Sequence, residues 1–260
     1  MPVFGMPTLI EAPSPEESAL LCKELGLSFV ELNMNLPHYQ PQTFPLSALK
    51  KLTRDQGLFF TLHLDENFNP CDFNPHIADA WLRTLEEALQ LAQELECPLI
   101  NLHLSRGVYF TLPGKREFLY ERYRAVYLRS LERVIALCEK SLASGKIKIA
   151  IENTNGFLPF QLEGLRLLLQ SPIFCLTYDT GHDFEAGHTD RDFLLSRKDR
   201  LVHMHLHDAS PKGCHLPLGE GLVDKIALLE LAQETKSTVV LETKTIAGLR
   251  RSVDWLREMT

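Results

Sequence analysis

Six times along the chain an apolar run of strand length ends in a side chain able to bind a metal ion. The runs are LFFTLH to His63, PLINLH to His103, IKIAIE to Glu152, FCLTYD to Asp179, LVHMH to His205 and VVLE to Glu242. Most of the intervening segments read as helices. A parallel strand whose C-terminal end carries chemistry, followed by a helix, is the repeating unit of a (β/α)8 barrel. The strand ends of such a barrel converge on one mouth. The 260 residues suit one barrel spanning 1–260,. The expected fold is therefore α/β, a single (β/α)8 TIM barrel.

The expected elements follow the chain. A strand near Val3–Leu9 leads to a helix at about Ser14–Leu25, with Ser14 as N-cap, Pro15 in the first turn and Glu17 as the capping-box partner,. Strand two is Ser28–Leu32, and a second helix covers about Pro45–Gln56 up to Gly57. After His63 comes a turn-rich loop, Asp65–Pro75, and then a helix at Pro75–Leu95 with Ile77, Trp81, Leu85, Ala88 and Leu91 at helical spacing,. A second long loop, Ser105–Lys115, precedes the longest helix, Glu117–Leu142. The later strands end at Glu152, at Asp179, near His205–His207 and at Glu242, and a helix follows the last of them.

Charge and cysteine content narrow the function. Lys and Arg total 27 against 34 Asp and Glu, a net charge of -7. That balance argues against nucleic acid as a partner. Arg106, Lys115, Arg116, Arg122, Arg124 and Arg129 do cluster, but Glu117 and Glu121 lie among them, so they read as a solvated helix face,. The six cysteines include no CxxC pair, and buried free thiols in a reducing cytoplasm are the simplest reading,. No signal peptide is visible, and no run reaches the roughly 20 apolar residues of a membrane helix,. Neither GxSxG, a Walker A loop nor a strand-linked GxGxxG occurs,.

Three carboxylates and an imidazole, Glu152, Asp179, His205 and Glu242, each end a strand. A salt-bridged strand end explains one such residue; four at one mouth suit a divalent cation. Hard oxygen ligands favour Mg²⁺ or Mn²⁺, and the imidazole admits Co²⁺, Fe²⁺ and Zn²⁺. His63 and His103 each sit in an LHL triplet, so alternation turns both imidazoles inward,. They are expected to bind a second metal or substrate, or to be satisfied core residues. His182 follows Asp179-Thr180-Gly181, where the glycine would permit a tight turn back over the site,. In HMHLHD, His203 reads as core and Asp208 as a substrate contact or a support for a ligand,. His215 precedes Leu218-Gly219-Glu220-Gly221, a loop able to fold over the mouth.

The stretches IENTNG, YDTGHD, HLHD, LGEG and LET resemble the superfamily of xylose-isomerase-like barrels. That group holds sugar and sugar-phosphate isomerases and epimerases, and endonuclease IV of AP endonuclease family 2. Likeness to the epimerases implies one divalent ion on Glu152, Asp179, His205 and Glu242. It also implies proton exchange with the carbon beside a carbonyl by Glu152 and Glu242. Likeness to endonuclease IV implies zinc on His63, His103 and a bridging Glu152, a second zinc on the four-residue set, and a third on His182, His215 and an aspartate two residues before His215. Gly213 stands at that last position. The expected activity is a metal-dependent isomerase or epimerase acting on a small sugar or sugar phosphate through an enediolate. Glu152 and Glu242 would be its proton-transfer pair, with His182, Asp208 and His215 against the substrate. An abasic-site nuclease with two or three zincs and a metal-binding barrel without turnover are the alternatives.

Overall fold

Alternation of short β-branched strands with amphipathic helices closes into a barrel. The computed structural model describes residues 1–142 and 145–259. The parallel strands are β1 (Val3–Pro7), β2 (Phe29–Asn33), β3 (Phe59–His63), β4 (Leu99–His103), β5 (Lys148–Glu152), β6 (Phe174–Asp179), β7 (Leu201–Leu206) and β8 (Thr238–Leu241). They close in the order β1-β8-β7-β6-β5-β4-β3-β2. Every neighbouring pair is parallel, so all strand C-termini open on one face.

The helices pack their apolar stripes on the outside of the sheet. Ser14 caps the first of them, Pro15–Glu24, with the full capping box: Glu17 N donates to Ser14 Oγ at 3.2 Å and Ser14 N donates to Glu17 Oε2 at 3.1 Å,. The helix Pro75–Leu95 has the expected bounds, and Leu46–Gln56 differs by one residue. Five of the six cysteines are buried, Cys214 is partly so, and all are free. No helix among the described residues is long and apolar enough to cross a membrane.

The segment after β4 departs from expectation. In place of an open loop and a helix from Glu117, an antiparallel hairpin pairs Tyr109–Leu112 with Lys115–Phe118. Helix begins at Leu119–Arg122 and continues as Arg124–Ser141. Alternating β-formers flank Pro113-Gly114, and Gly114 takes a φ of 78°, so a tight turn outcompetes helix here,. The basic cluster is thereby split between hairpin and helix. Lys115 and Arg122 still pair with Glu117, at 2.6 and 3.4 Å, and Arg124 pairs with Glu121 at 3.9 Å. Arg106 turns the other way and donates to the carbonyls of Asn155 and Gly156, holding the loop after β5.

Inside the barrel the layers change character. At the bottom Phe29 and Phe59 stack at 4.9 Å. Gly5 makes room for them, since a Cβ there would lie 2.6 Å from the Phe29 ring. Above this the barrel is filled by polar side chains instead of the usual branched aliphatics. Glu31, Thr61, Asn101, Thr177 and His203 are all buried there. They satisfy one another: Thr61 Oγ1 donates to Glu31 Oε2 at 3.1 Å, Thr177 Oγ1 to Asn101 Oδ1 at 2.7 Å, and His203 Nε2 meets Glu31 Oε2 at 3.1 Å. This layer is the floor on which the mouth residues stand.

Candidate metal centre

Strand register brings the predicted side chains together. His103 pairs with Glu152 across β4 and β5, and Asp179 with His205 across β6 and β7. Glu242 lies one residue beyond β8 and stays in the ladder through its N–H to Leu206 O at 3.1 Å. His63, His103, Glu152, His205 and Glu242 line a cavity of about 490 Å³ that also receives His182 and His215, while Asp179 is fully buried behind its wall. Ligand atoms of Glu152, Asp179, His205 and Glu242 lie within 4.8 Å of one another, as do those of His63, His103 and Glu152.

The four-residue set closes around His205 Nδ1. That atom is 3.1 Å from Glu242 Oε2, 3.4 Å from Glu152 Oε2 and 3.9 Å from Asp179 Oδ2. On the far side of the ring, Nε2 sits 2.7 Å from Glu31 Oε1. Glu31 was not legible as a strand end, because it lies mid-strand in FVELN. Its position two residues before Asn33 puts it on the interior face and under His205. Asn101, two residues before His103, likewise supports Glu152 by donating Nδ2 to Oε2.

His63 and His103 approach the same Glu152 oxygen, at 3.4 and 3.2 Å. His63 Nδ1 donates to the Leu64 carbonyl at 2.7 Å, which fixes the ring and turns Nε2 toward Glu152 and the cavity,.

Electrostatics show how strongly the site wants positive charge. Burial works against an imidazolium at His205, yet Glu152, Glu31 and Glu242 hold its pKa well above the usual range. His63 and His182 are pushed up to about 9 against the same burial penalty, His63 by Glu152 and His182 chiefly by Asp179. Burial disfavours ionisation of Glu152 and Glu242, but His205 above all keeps both carboxyls well below the ordinary carboxylate range. Meanwhile His103 Nε2, His182 Nδ1, His205 Nδ1, His215 Nδ1 and Glu242 Oε2 are buried with no hydrogen-bond partner among the described residues. Buried polar atoms are normally satisfied. A cation among these oxygen and nitrogen donors would satisfy them, so the residues fit a divalent ion.

His182, His207 and His215 form the opposite wall. Asp179 Oδ1 accepts the backbone N–H of His182 at 2.7 Å, setting the imidazole over the cavity. Gly181 does not act through a tight turn. It lies within the helix Thr180–Glu185, and a Cβ there would fall 2.0 Å from His207 Cε1. The glycine is required so that the His207 ring can pass beneath it. His207 then places Nε2 3.1 Å from both Asp179 oxygens and accepts the His215 N–H on Nδ1 at 2.8 Å. It stacks on His215 at 4.2 Å. Both ring nitrogens of His207 are thus engaged, and Gly213 brings no carboxylate beside His182 and His215. Gly181→Ala is expected to destabilise the fold by about 1–3 kcal/mol despite the better helix propensity of alanine. Urea unfolding checks this; an unchanged or raised midpoint would contradict the close approach.

Asp208 is not brought into the cavity. Fully buried, it accepts from Lys225 Nζ at 2.7 Å and from the N–H groups of Gly219 and Val223 at 3.0 Å each. Its carboxylate is consumed in holding the 217–223 loop. Glu220 in that loop pairs with Arg251. Lys244, which the sequence reading passed over, does face the site, with Nζ 3.0 Å from Glu242 Oε1.

The family described as xylose isomerase-like TIM barrel matches residues 19–259. The chain belongs to that family. No curated protein matches the sequence. Among solved structures, it is similar to a D-tagatose 3-epimerase-like protein at 23% identity and a TM-score of 0.78, covering 99% of this chain and 96% of the other. The 3-keto-D-glucoside 4-epimerase of E. coli aligns at 18% identity and TM-score 0.76 over 99% and 100% of the two chains. The IolI protein, crystallised with a zinc atom, aligns at 13% and 0.74 over 99% and 96%. At these identities the likeness shows the shared barrel.

Proposed function

We propose that this member of the xylose isomerase-like family is a divalent-metal-dependent isomerase or epimerase of a small sugar or related hydroxy-carbonyl compound. One observation carries the reading: Glu152 and Glu242 flank the same unsatisfied atom, His205 Nδ1, at 3.4 and 3.1 Å, in a cavity of sugar size. Solved relatives named as sugar epimerases, and one with a zinc atom, support it.

Glu152, Asp179, His205 and Glu242 would hold the ion. When bound, the ion polarises the substrate carbonyl and stabilises the negative charge of an enediolate. Glu242 and Glu152, both ionised, stand ready as bases for the carbon beside the carbonyl: one takes the proton and becomes a neutral acid, and the proton is returned either from that acid or from the other glutamate once it has taken one up from water. Lys244 steadies Glu242 from the solvent side, and Asn101 steadies Glu152 from below. His182, whose side chain is 19% exposed, holds a substrate hydroxyl at the rim. The test is solvent-deuterium exchange into a panel of ketoses, read by NMR with the metal-loaded protein. Absence of exchange across the panel would remove this reading.

Glu31 has a defined part in this scheme. Its carboxylate 2.7 Å from His205 Nε2 keeps Nδ1 turned to the ion,. Glu31→Gln is expected to weaken metal affinity about 10–100-fold, a typical cost of losing such a support. Competition with a chelating dye measures it, and an affinity within twofold of the parent would contradict the role.

The His63–His103–Glu152 cluster favours a second reading, an abasic-site nuclease using more than one zinc. Cleavage of an abasic oligonucleotide that is lost in His63→Ala would establish it in place of the first.

A further inference from the structure

Beside Glu242 the metal cavity runs on into a second hollow of about 350 Å³. The two share Pro7, Asn33, Glu66, Glu242 and Lys244 in their walls, so they adjoin. Nothing in the chemistry above uses the outer part.

Its polar groups are arranged by the backbone. Asn33, the last residue of β2, accepts the N–H of Asn35 on its Oδ1 at 2.8 Å. Asn35 in turn accepts the N–H of Glu66 on its own Oδ1 at 3.0 Å. The carbonyl oxygen of each amide is therefore anchored by a backbone N–H, and each Nδ2 donates to no protein atom among the described residues. Among the described residues Lys244 Nζ pairs only with Glu242 Oε1, at 3.0 Å, and with 63% of its side chain exposed it keeps donors to spare,. The Glu66 carboxylate is the one free acceptor among these groups. Leu9 and Leu36 supply an apolar wall.

We propose that this outer hollow is a subsite for the hydroxyl-bearing tail of the substrate, made by Lys244, Glu66 and the amides of Asn33 and Asn35. A hydroxyl both donates and accepts, so a mixed set of amide, ammonium and carboxylate matches a polyol chain. A phosphate only accepts, and here it would meet two carboxylates, Glu66 and Glu242, against a single ammonium already engaged by Glu242. The subsite thus selects a neutral sugar long enough to reach from the metal centre to Asn35. The inference rests on the carbonyl end lying at Glu152 and Glu242, as in the proposed function.

The experiment compares ligands that share the carbonyl end but differ in the tail: 1,3-dihydroxyacetone, D-fructose and D-fructose 6-phosphate. Binding to the metal-loaded full chain is measured by calorimetry. The parent is expected to bind fructose at least tenfold more tightly than dihydroxyacetone, and more tightly than the phosphate. Glu66→Leu is expected to weaken fructose about tenfold, the equivalent of one good hydrogen bond, and dihydroxyacetone less than twofold. Asn35→Leu, its fold checked by melting, is expected to do the same. If the parent prefers fructose and neither variant changes that preference, the subsite is overturned while the sugar reading stands. Tighter binding of the phosphate also overturns it. If neither neutral sugar binds the parent, the sugar reading fails and the subsite with it.

Discussion

Glu242→Gln is expected to lower turnover about 10²–10⁴-fold while KM stays within about threefold. Glutamine keeps the size of the side chain and an oxygen for a cation, so metal content and folding should survive. What it loses is the ability to accept a proton from carbon. The parent carboxyl is well prepared for that task. Burial opposes its charge, but His205 at 3.1 Å and Lys244 at 3.0 Å keep it ionised. Steady-state kinetics and α-proton exchange on the same preparation check the result. Unchanged turnover would sink the assignment of Glu242 as a proton carrier, whatever its part in holding the ion.

Removing the metal should have the second large effect. Glu31, Glu152 and Asp179 are at most 3% exposed and crowd around His205, with imidazoles as their main compensation. An ion held at about 1,000 times its Kd adds roughly 4 kcal/mol to stability. For a chain of this size that corresponds to about 8–16 °C in Tm. Dialysis against a chelator is expected to abolish exchange and lower Tm by that amount, with both restored on adding back the ion. Elemental analysis should find one ion per chain, and His63→Ala should leave that count unchanged. Two or three zincs per chain, falling in His63→Ala, would instead favour the nuclease reading.

The residues that ended apolar runs were legible because a strand end is a place the pattern marks. His63, His103, Glu152, Asp179, His205 and Glu242 all gather at one mouth, five of them lining its cavity and Asp179 just behind, through a parallel register that the βα alternation already implied. Glu31 was illegible for the opposite reason: within Val30-Glu31-Leu32 a carboxylate looks like the solvent-facing member of an alternating strand. Only the closed barrel turns that face inward, beneath His205. Asp208 shows the converse case. It adjoins a cluster of site histidines in the chain, yet strand β7 ends at Leu206 and the following hairpin carries Asp208 away to the 217–223 loop. The hairpin at 109–118 could have been read from YFTLPGKREF, where alternation and Pro-Gly point to a turn,.

Periodicity and the chemistry of strand ends determined the barrel, its open face and the set of polar side chains at its mouth, because both are local properties that repeat along the chain. Tertiary structure decided how those side chains are supported and where the mouth extends. Glu31 under His205, His207 between Asp179 and His215, and Lys244 beside Glu242 depend on which strands and loops become neighbours on closure, and on the few ångströms left between them.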